Sequence, residues 1–240
     1  LLADSRRLLD DASAVRARMH AVAKGHAGVL RVGFTSSAAA HAFTPRVLRE
    51  CRSTYPDIAL QIREDHAAGL TAALATGALH CAFLRVPVAQ PPGVRFEPML
   101  REPVLVALPV QHSLLERTSR ALTLQQLKNE RFILVRRSGA PGLYAQLLAL
   151  CEQQGFTPQV AHEVERMMTA LNLVAAGEGI TVVPASMRGA HPEAIEYRPL
   201  AGARSLDAPL TLAYRETDLQ GALRSFVALV RAAAPPRGRA

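Results

Sequence analysis

The chain has 240 residues, of which 49% are apolar and 20% are charged, and its net charge is +8. This length accommodates two domains of roughly 100 residues each, and no apolar run approaches the roughly 20 residues needed to span a membrane. The arginines are spread along the chain without interleaved aromatic residues, which disfavours a nucleic-acid-binding surface, and the N-terminal charge order is not that of a signal peptide, so we expect a cytoplasmic protein with no membrane partner.

The first 27 residues predict an amphipathic helix. Apolar residues repeat every seven positions, and a second set follows each of them by four, as in Leu1, Leu8, Val15 and Val22 with Ser5, Ala12, Met19 and His26. Such a seam is typical of a coiled coil, although the same helix could instead pack on its own domain. The coiled-coil interpretation predicts self-association. A chain that opens within a helix is also expected to be part of a longer protein.

Two similar sets of elements follow this helix. The first predicts, in order, a strand over 29–34, a helix over 38–52, a strand over 59–63, a helix over 70–74 ended by Gly77, and a strand over 81–84. The second predicts strands over 132–135 and 160–164, a helix ended by Gly177 and Gly179, and a strand over 180–183 stopped by Pro184. Matching landmarks are separated by 177 − 77 = 100, 158 − 56 = 102 and 138 − 37 = 101 residues. A repeat of this length indicates two duplicated α/β lobes with a cleft between them.

Candidate ligand-binding residues lie at the ends of the predicted strands, where open α/β sheets bind their ligands. In the first lobe these are Thr35, Ser36 and Ser37, then His66, and then Arg85. In the second lobe they belong to the turn over 136–142, in which Ser138 is expected to face Ser37 across the cleft.

A carboxylate is the ligand class that these residue types favour. Hydroxyl and free N–H groups at a helix start bind anions, and an arginine pairs with a carboxylate in two parallel hydrogen bonds. Each residue also has a structural interpretation: Thr35 to Ser37 as a helix cap, Arg85 as a partner of an acid in its own lobe such as Glu64, and His66 as a surface loop residue.

Sequence motifs of common catalytic and cofactor sites do not occur. The chain has no nucleophile elbow, no phosphate-binding P-loop and no His-Glu-x-x-His segment. Gly177-Glu178-Gly179 lies between a helix and a strand, whereas a dinucleotide fingerprint requires a strand followed by a helix. Cys51, Cys81 and Cys151 have no metal or redox spacing and are expected to be packing residues. We therefore expect no enzymatic activity, no cofactor and no metal.

The order and spacing of four stretches resemble the linker helix and effector-binding domain of LysR-type transcriptional regulators. The stretches are Gly28-Val29-Leu30-Arg31-Val32-Gly33-Phe34, then Leu74-Ala75-Thr76-Gly77-Ala78-Leu79-His80, then Leu105-Val106-Ala107-Leu108-Pro109 with His112-Ser113-Leu114, and finally 170–186. The resemblance covers residues 1 to about 233. The segment 173–180 with Val183-Pro184-Ala185-Ser186 is similar to the subgroup that senses benzoate and muconate and controls aromatic catabolism.

This resemblance implies a fold and a domain division. The fold would be two Rossmann-like lobes joined by two crossing strands, as in type 2 periplasmic binding proteins, preceded by a linker helix. The linker would occupy 1–27, lobe I 28–103 and 208–233, lobe II 104–207, and a disordered tail 234–240. The strands expected to cross are 104–109 and 210–214.

The resemblance also implies a function. The domain would bind a small carboxylate effector and assemble into a dimer or tetramer, and DNA would be bound only by a winged helix-turn-helix domain preceding the linker. Members of the subgroup bind effector at the positions of Ser37, Arg85 and the turn Pro141-Gly142-Leu143. Ala67 stands where muconate sensors carry a hydroxyl residue, and His80 stands where the family usually has Asp. The alternative is a periplasmic-type solute-binding protein of a transport system.

Overall fold

The structure is a computed structural model that describes residues 2–85, 90–116, 120–135, 142–202, 206 and 208–235. Its α-helices are α1 (Leu2–Lys24), α2 (Ser36–Ala39), α3 (Phe43–Thr54), α4 (Ala67–Thr76), α5 (Gly142–Gln153), α6 (Met167–Ala175) and α7 (Gly221–Ala233). Its strands are β1 (Ala27–Phe34), β2 (Asp57–Glu64), β3 (Cys81–Arg85), β4 (Val94–Leu100), β5 (Val104–Pro109), β6 (Leu122–Thr123), β7 (Arg131–Val135), β8 (Gln159–Val164), β9 (Thr181–Pro184), β10 (Ile195–Ala201) and β11 (Leu210–Arg215).

Lobe I is built on a five-stranded sheet in the order β2-β1-β3-β11-β4. The strands β2, β1 and β3 are parallel, whereas β11 runs antiparallel to both of its neighbours. The apolar strand β3 is central and fully covered on both faces, as its uninterrupted run of apolar residues predicts.

Lobe II repeats this arrangement. Strand β8 pairs in parallel with β7, and β7 is joined in parallel to the start of β9 through a bridge between Phe132 and Ile180. Strand β5 is antiparallel to β9 and to β10, and the short β6 extends the far edge. The order β8-β7-β9-β5-β10 therefore has the same parallel and antiparallel pattern as the lobe I sheet, and the predicted duplication of two α/β lobes is confirmed.

The chain crosses between the lobes twice, once between β4 and β5 and once between β10 and β11. Strands β5 and β11, which we expected to cross, each lie in one sheet, and the crossing is made in the short segments that precede them. In lobe I, the neighbouring strands β4 and β11 therefore come from before the first crossing and after the second, whereas the strands of lobe II all lie between the two crossings. The two crossings connect the lobes at one edge of the cleft.

Each sheet carries helices on both faces. In lobe I, α3 and α7 enclose an aromatic core in which Phe34 stacks on Phe83 with ring centroids 5.5 Å apart, while α4 covers the opposite face through Leu70 and Leu74. In lobe II, α5 covers one face of the sheet and α6 covers the other. Cys51, Cys81 and Cys151 are buried and free, as the packing interpretation predicts.

The helix that we predicted over 38–52 is wrong, because the structure has two helices there. Thr35 caps the first one, which therefore begins at Ser36, earlier than expected. The buried Thr44 hydroxyl donates a hydrogen bond of 2.7 Å to the Ala38 carbonyl, an acceptor that a continuous helix would use for a backbone N–H group. Phe43 is consequently placed in the core at the start of α3.

Helix α1 extends from lobe I and has no buried residue along its length. Its exposed apolar side chains include Leu8, Val15 and Met19. It contacts α7 and β1 of lobe I, and at its end Gly25 has a φ of +78° and a Cβ atom there would lie 2.3 Å from the Gly221 carbonyl oxygen. The described helices include none that is long and apolar enough to cross a membrane.

Candidate functional site

A cavity of about 140 Å³ lies between the two lobes, on the side of the carboxyl ends of β1, β3 and β7. Of the ten residues that we predicted as a binding site, it is lined by seven: Thr35, Ser36, Ser37, His66, Ala67, Arg85 and Leu143. Gly142 is the first residue of α5, and Ser138 and Pro141 lie outside the described residues. The expected approach of Ser37 to Ser138 therefore stays a prediction.

The polar side of the cavity is the start of α2. Thr35 has an extended backbone, and its hydroxyl oxygen accepts a hydrogen bond from the Ala38 N–H at 3.3 Å. The hydroxyl oxygens of Thr35 and Ser37 are 3.4 Å apart. Within the described part of the chain, the N–H groups of Ser36 and Ser37 have no acceptor, as the first residues of a helix require. These groups provide hydrogen-bond donors and hydroxyls at one end of the cavity.

His66 caps α4, at the second strand end of lobe I. Its Nδ1 accepts a hydrogen bond of 2.8 Å from the Gly69 N–H, so the ring orientation is fixed by the helix that follows β2. The neighbouring Asp65 accepts from the His66 N–H at 2.8 Å and from Arg63 at 2.7 Å. Burial raises the pKa of Asp65, but these donors outweigh it and leave that pKa below its usual range.

Arg85 stands at the carboxyl end of β3 and joins four segments of the chain. Its guanidinium forms a close ion pair with Glu102, which precedes β5, and donates to the Ala208 carbonyl, which precedes β11. It also donates to the Ser37 carbonyl at 3.2 Å and to the Ser186 hydroxyl at 3.3 Å. The guanidinium that we expected to pair with a ligand is therefore already engaged at both crossings between the lobes.

The Arg85–Glu102 pair is almost completely buried, with exposed side-chain fractions of 11% and 7%. Burial lowers the pKa of Arg85, although the adjacent Glu102 acts in the opposite direction. Glu102 also accepts from the Ser186 N–H at 2.6 Å and from its hydroxyl at 3.0 Å, so each carboxylate oxygen has a donor in lobe II. This network holds the two lobes together beside the cavity.

Glu64, which we considered as a partner of Arg85, pairs instead with Arg166 in lobe II. The Arg166 Nη1 and Glu64 Oε1 atoms are 2.8 Å apart, and the pair bridges the carboxyl end of β2 and the start of α6. The structural alternative, in which Arg85 pairs with an acid of its own lobe, is confirmed, but the acid is Glu102 at the end of the lobe I segment rather than Glu64.

The lobe II wall of the cavity is mainly apolar. It is formed by side chains from β7, α5, α6 and β9, among them Val135, Leu143, Leu147, Met167 and Val182. The spacing of Leu143 and Leu147 on one helical face could have identified part of this wall from the sequence. Glu165 and Arg166 also line the cavity. They follow β8 directly, so the strand-end rule that selected His66 in lobe I also applies to them.

The two lobes have duplicated sheets, are joined by two crossings and enclose a cavity that is polar on one side and mainly apolar on the other. These features define a two-lobed domain of the kind that encloses a small ligand. The model of the LysR substrate binding domain matches residues 23–235, and this chain belongs to that family. A mixed α/β effector-binding domain preceded by a helix is therefore established, as the sequence predicts.

Individual relatives agree with this assignment. The chain is 35% identical over 203 residues to the uncharacterized HTH-type transcriptional regulator YnfL of Escherichia coli K12, a match that covers 83% of this chain and 66% of that protein. The chain thus spans less than two thirds of that relative's length.

Solved structures give the same result. The crystal structure of CbnR, a LysR family transcriptional regulator, superposes with a TM-score of 0.83 at 25% identity and covers 96% of this chain and 78% of CbnR. The BenM effector binding domain with its effector benzoate superposes with a TM-score of 0.73 at 25% identity and covers 85% of this chain and 90% of that domain.

Proposed function

We propose that this domain senses a small carboxylate, an aromatic acid or a ring-cleavage product of one, held between the two lobes. The observation that carries the proposal is the polarity of the cavity, with the donors of Ser36 and Ser37 on the lobe I side and Leu143, Leu147 and Val182 on the lobe II side. An aromatic acid has the same division between a charged end and an apolar ring. BenM, whose effector domain has the same fold, carries benzoate as its effector.

The predicted site residues have complementary roles in this proposal. Thr35, Ser36 and Ser37 hydrogen-bond the carboxylate, and Arg85 holds Ser37 in place through its carbonyl. Ala67, His66 and Leu143 set the shape of the cavity. Ser138, Pro141 and Gly142 are proposed to contact the apolar part of the ligand.

The complete protein is proposed to be a cytoplasmic transcriptional regulator rather than an enzyme or a transport component. The relatives are named as HTH-type transcriptional regulators, which favours this function over a solute-binding protein. DNA would be bound by a helix-turn-helix domain joined to α1. The exposed apolar residues of α1 support assembly of at least a dimer through this helix.

A thermal-shift screen tests the proposed ligand class. Benzoate, salicylate and cis,cis-muconate are each added to the domain, with the neutral amide of each acid as its control. A ligand that binds only the folded state raises the melting temperature, so at least one acid should raise it and its amide should not. The Ser37→Ala variant should weaken binding by only a few fold, because the backbone N–H groups remain. The absence of any acid-specific shift would contradict the proposal.

A further inference from the structure

We propose that Arg166 is the cation that binds the effector carboxylate, exchanging its ion pair with Glu64 for one with the ligand. This inference rests on the proposed function, because it assumes an anionic effector in the cleft. It assigns the countercharge to the start of α6 in lobe II, rather than to the end of β3 in lobe I.

Two arginines line the described part of the cavity wall, and they differ in availability. The Nη atoms of Arg85 are occupied by Glu102, by two backbone carbonyls and by the Ser186 hydroxyl. Redirecting Arg85 to a ligand would leave Glu102 buried without its counterion, which is strongly unfavourable. Arg85 therefore stays with Glu102 whether or not the cavity is filled.

Arg166 lacks such constraints. Among the described residues, its guanidinium hydrogen-bonds to Glu64, and the side chains of Arg166 and Glu64 are 56% and 54% exposed. Exposed ion pairs are weak because water and salt screen them, so a second carboxylate competes with Glu64 at little cost. A ligand carboxylate inside the cavity, where less water is present, attracts the guanidinium more strongly than Glu64 does at the rim.

The backbone at Arg166 favours an anion as well. Arg166 is the N-cap residue of α6, and its side chain forms no capping hydrogen bond with the helix. An arginine side chain has no acceptor, so Arg166 cannot cap the first N–H groups of this nine-residue helix, which begins at Met167 in the cavity wall. The guanidinium and the helix start present positive charge to the same side of the cavity.

The acidic residues near Arg166 differ in whether they compete for its guanidinium. Asp65 is paired with Arg63 and accepts a hydrogen bond from the His66 N–H, and Glu165 lines the same wall as Arg166. Glu64 is the acid that directly occupies the guanidinium. If Glu64 loses its charge, the direction in which ligand affinity changes therefore distinguishes an exchange of partners from an ion pair that only connects the lobes.

If Arg166 exchanges partners, Glu64→Gln removes a competitor and tightens the binding of an anion, by about two- to fivefold for an exposed pair. If the pair merely holds the lobes together, the same substitution loosens the closed state and weakens binding of charged and neutral ligands alike. Arg166→Gln is expected to weaken benzoate binding at least tenfold, as loss of a charge-assisted hydrogen bond does, and to leave benzamide binding unchanged.

Isothermal titration calorimetry with benzoate and benzamide measures these effects on the parent domain, Arg166→Gln and Glu64→Gln. If muconate rather than benzoate binds in the screen, cis,cis-muconate and its diamide replace this pair. The matched control is Arg95→Gln, which breaks an exposed ion pair within lobe I and outside the cavity. Arg95 and Glu216 are 3.2 Å apart in this pair, and their side chains are 54% and 58% exposed. Arg95→Gln should bind benzoate as the parent does.

Three results would overturn the inference. Parent-like benzoate binding by Arg166→Gln shows that Arg166 is not the countercharge, and weaker binding by Glu64→Gln shows that the pair is a tie between the lobes. If the parent binds no acid more tightly than its amide, the proposed function fails and the inference fails with it. The first two results leave the proposed function intact, because the parent still binds the acid.

Discussion

Arg85 and Glu102 form a buried ion pair where the chain first crosses between the lobes, and the pair also contacts the second crossing through the Ala208 carbonyl. A buried pair of this kind is costly to break, because the remaining charge loses its partner in a region without water. The pair fixes the positions of β5, β11 and the segment at Ser186 relative to one another. Through the Ser37 carbonyl it also fixes the polar end of the cavity.

We predict that Arg85→Leu or Glu102→Leu alone lowers the free energy of unfolding by about 3–5 kcal/mol, and that the double substitution lowers it by less than either single one. Urea denaturation of the parent and the three variants measures this double-mutant cycle. Additive losses from the two single substitutions would contradict the coupling between these side chains.

His80 gives a pH-dependent contribution to stability. Its Nδ1 accepts a hydrogen bond of 3.0 Å from the Arg31 N–H, which only an unprotonated nitrogen can do. Burial lowers the pKa of His80, nearby Arg31 and Arg215 lower it further, and Asp218 partly opposes them. The unprotonated imidazole nitrogen thus serves as the acceptor for this backbone N–H group.

A folded-state pKa below the ordinary value of about 6.5 means that the unfolded chain takes up the proton first as the pH falls. The contribution of His80 is therefore complete above about pH 6.5 and is lost as the pH falls through the lower folded-state pKa, by up to about 1 kcal/mol for one hydrogen bond. His80→Asn keeps an acceptor and does not titrate. The parent should lose more stability than His80→Asn between pH 7 and pH 5 in urea denaturation, and parallel losses would contradict this assignment.

At the scale of the elements, the repeat in the sequence predicts the strands, and the structure adds how they join. Strands β1, β2, β3, β7, β8 and β9 were predictable because each is a short apolar or alternating run that ends at turn residues. The insertion of β11 between β3 and β4, and of β5 between β9 and β10, was not readable from the residues, because these contacts join distant parts of the chain. The Glu102 partner of Arg85 was missed for the same reason.

Two glycines also show that local sequence patterns predict helix ends but not tertiary contacts. Gly177 ends α6 as predicted, with a φ of +81° just after the last helical turn. Gly179 was also expected to end this helix, but it lies beyond the helix, and a Cβ atom there would come within 2.4 Å of the Arg131 carbonyl oxygen. Its role is to let the start of β9 approach β7, which is a tertiary requirement that a helix-end rule does not contain.

Helix α1 is expected to mediate self-association, because its apolar seam has no partner in the described residues of its own chain. The double substitution Leu8→Asp with Val15→Asp places charges in the seam and should weaken the dimer at least tenfold. Ala17→Asp, on the opposite face of the helix, is the control and should leave the dimer unchanged. Light scattering over a range of concentrations measures both, and a parent that stays monomeric throughout would contradict the proposed contact.

At the scale of the whole molecule, two lobes with the same strand order enclose one cavity whose walls come from opposite lobes. The Arg85–Glu102–Ser186 network fixes one side of the cleft, and the exposed Glu64–Arg166 pair spans its rim. A ligand that contacts both walls therefore favours a particular separation of the lobes, as in other two-lobed binding proteins. We expect such a ligand to change the population of closed molecules rather than the structure of either lobe.

The central claim is that the carboxylate binds within this cavity, and a blocked cavity tests it most directly. Ala67 lines the cavity at the first turn of α4, whereas Ala72 lies on the exposed face of the same helix. Calorimetric titration of the acid that is positive in the thermal-shift screen, benzoate first, compares Ala67→Phe and Ala72→Phe with the parent domain. The account predicts that Ala67→Phe, whose ring fills the cavity, loses at least tenfold in affinity while Ala72→Phe binds as the parent does. Parent-like binding by a folded Ala67→Phe variant would contradict the account, because the ligand would then bind elsewhere.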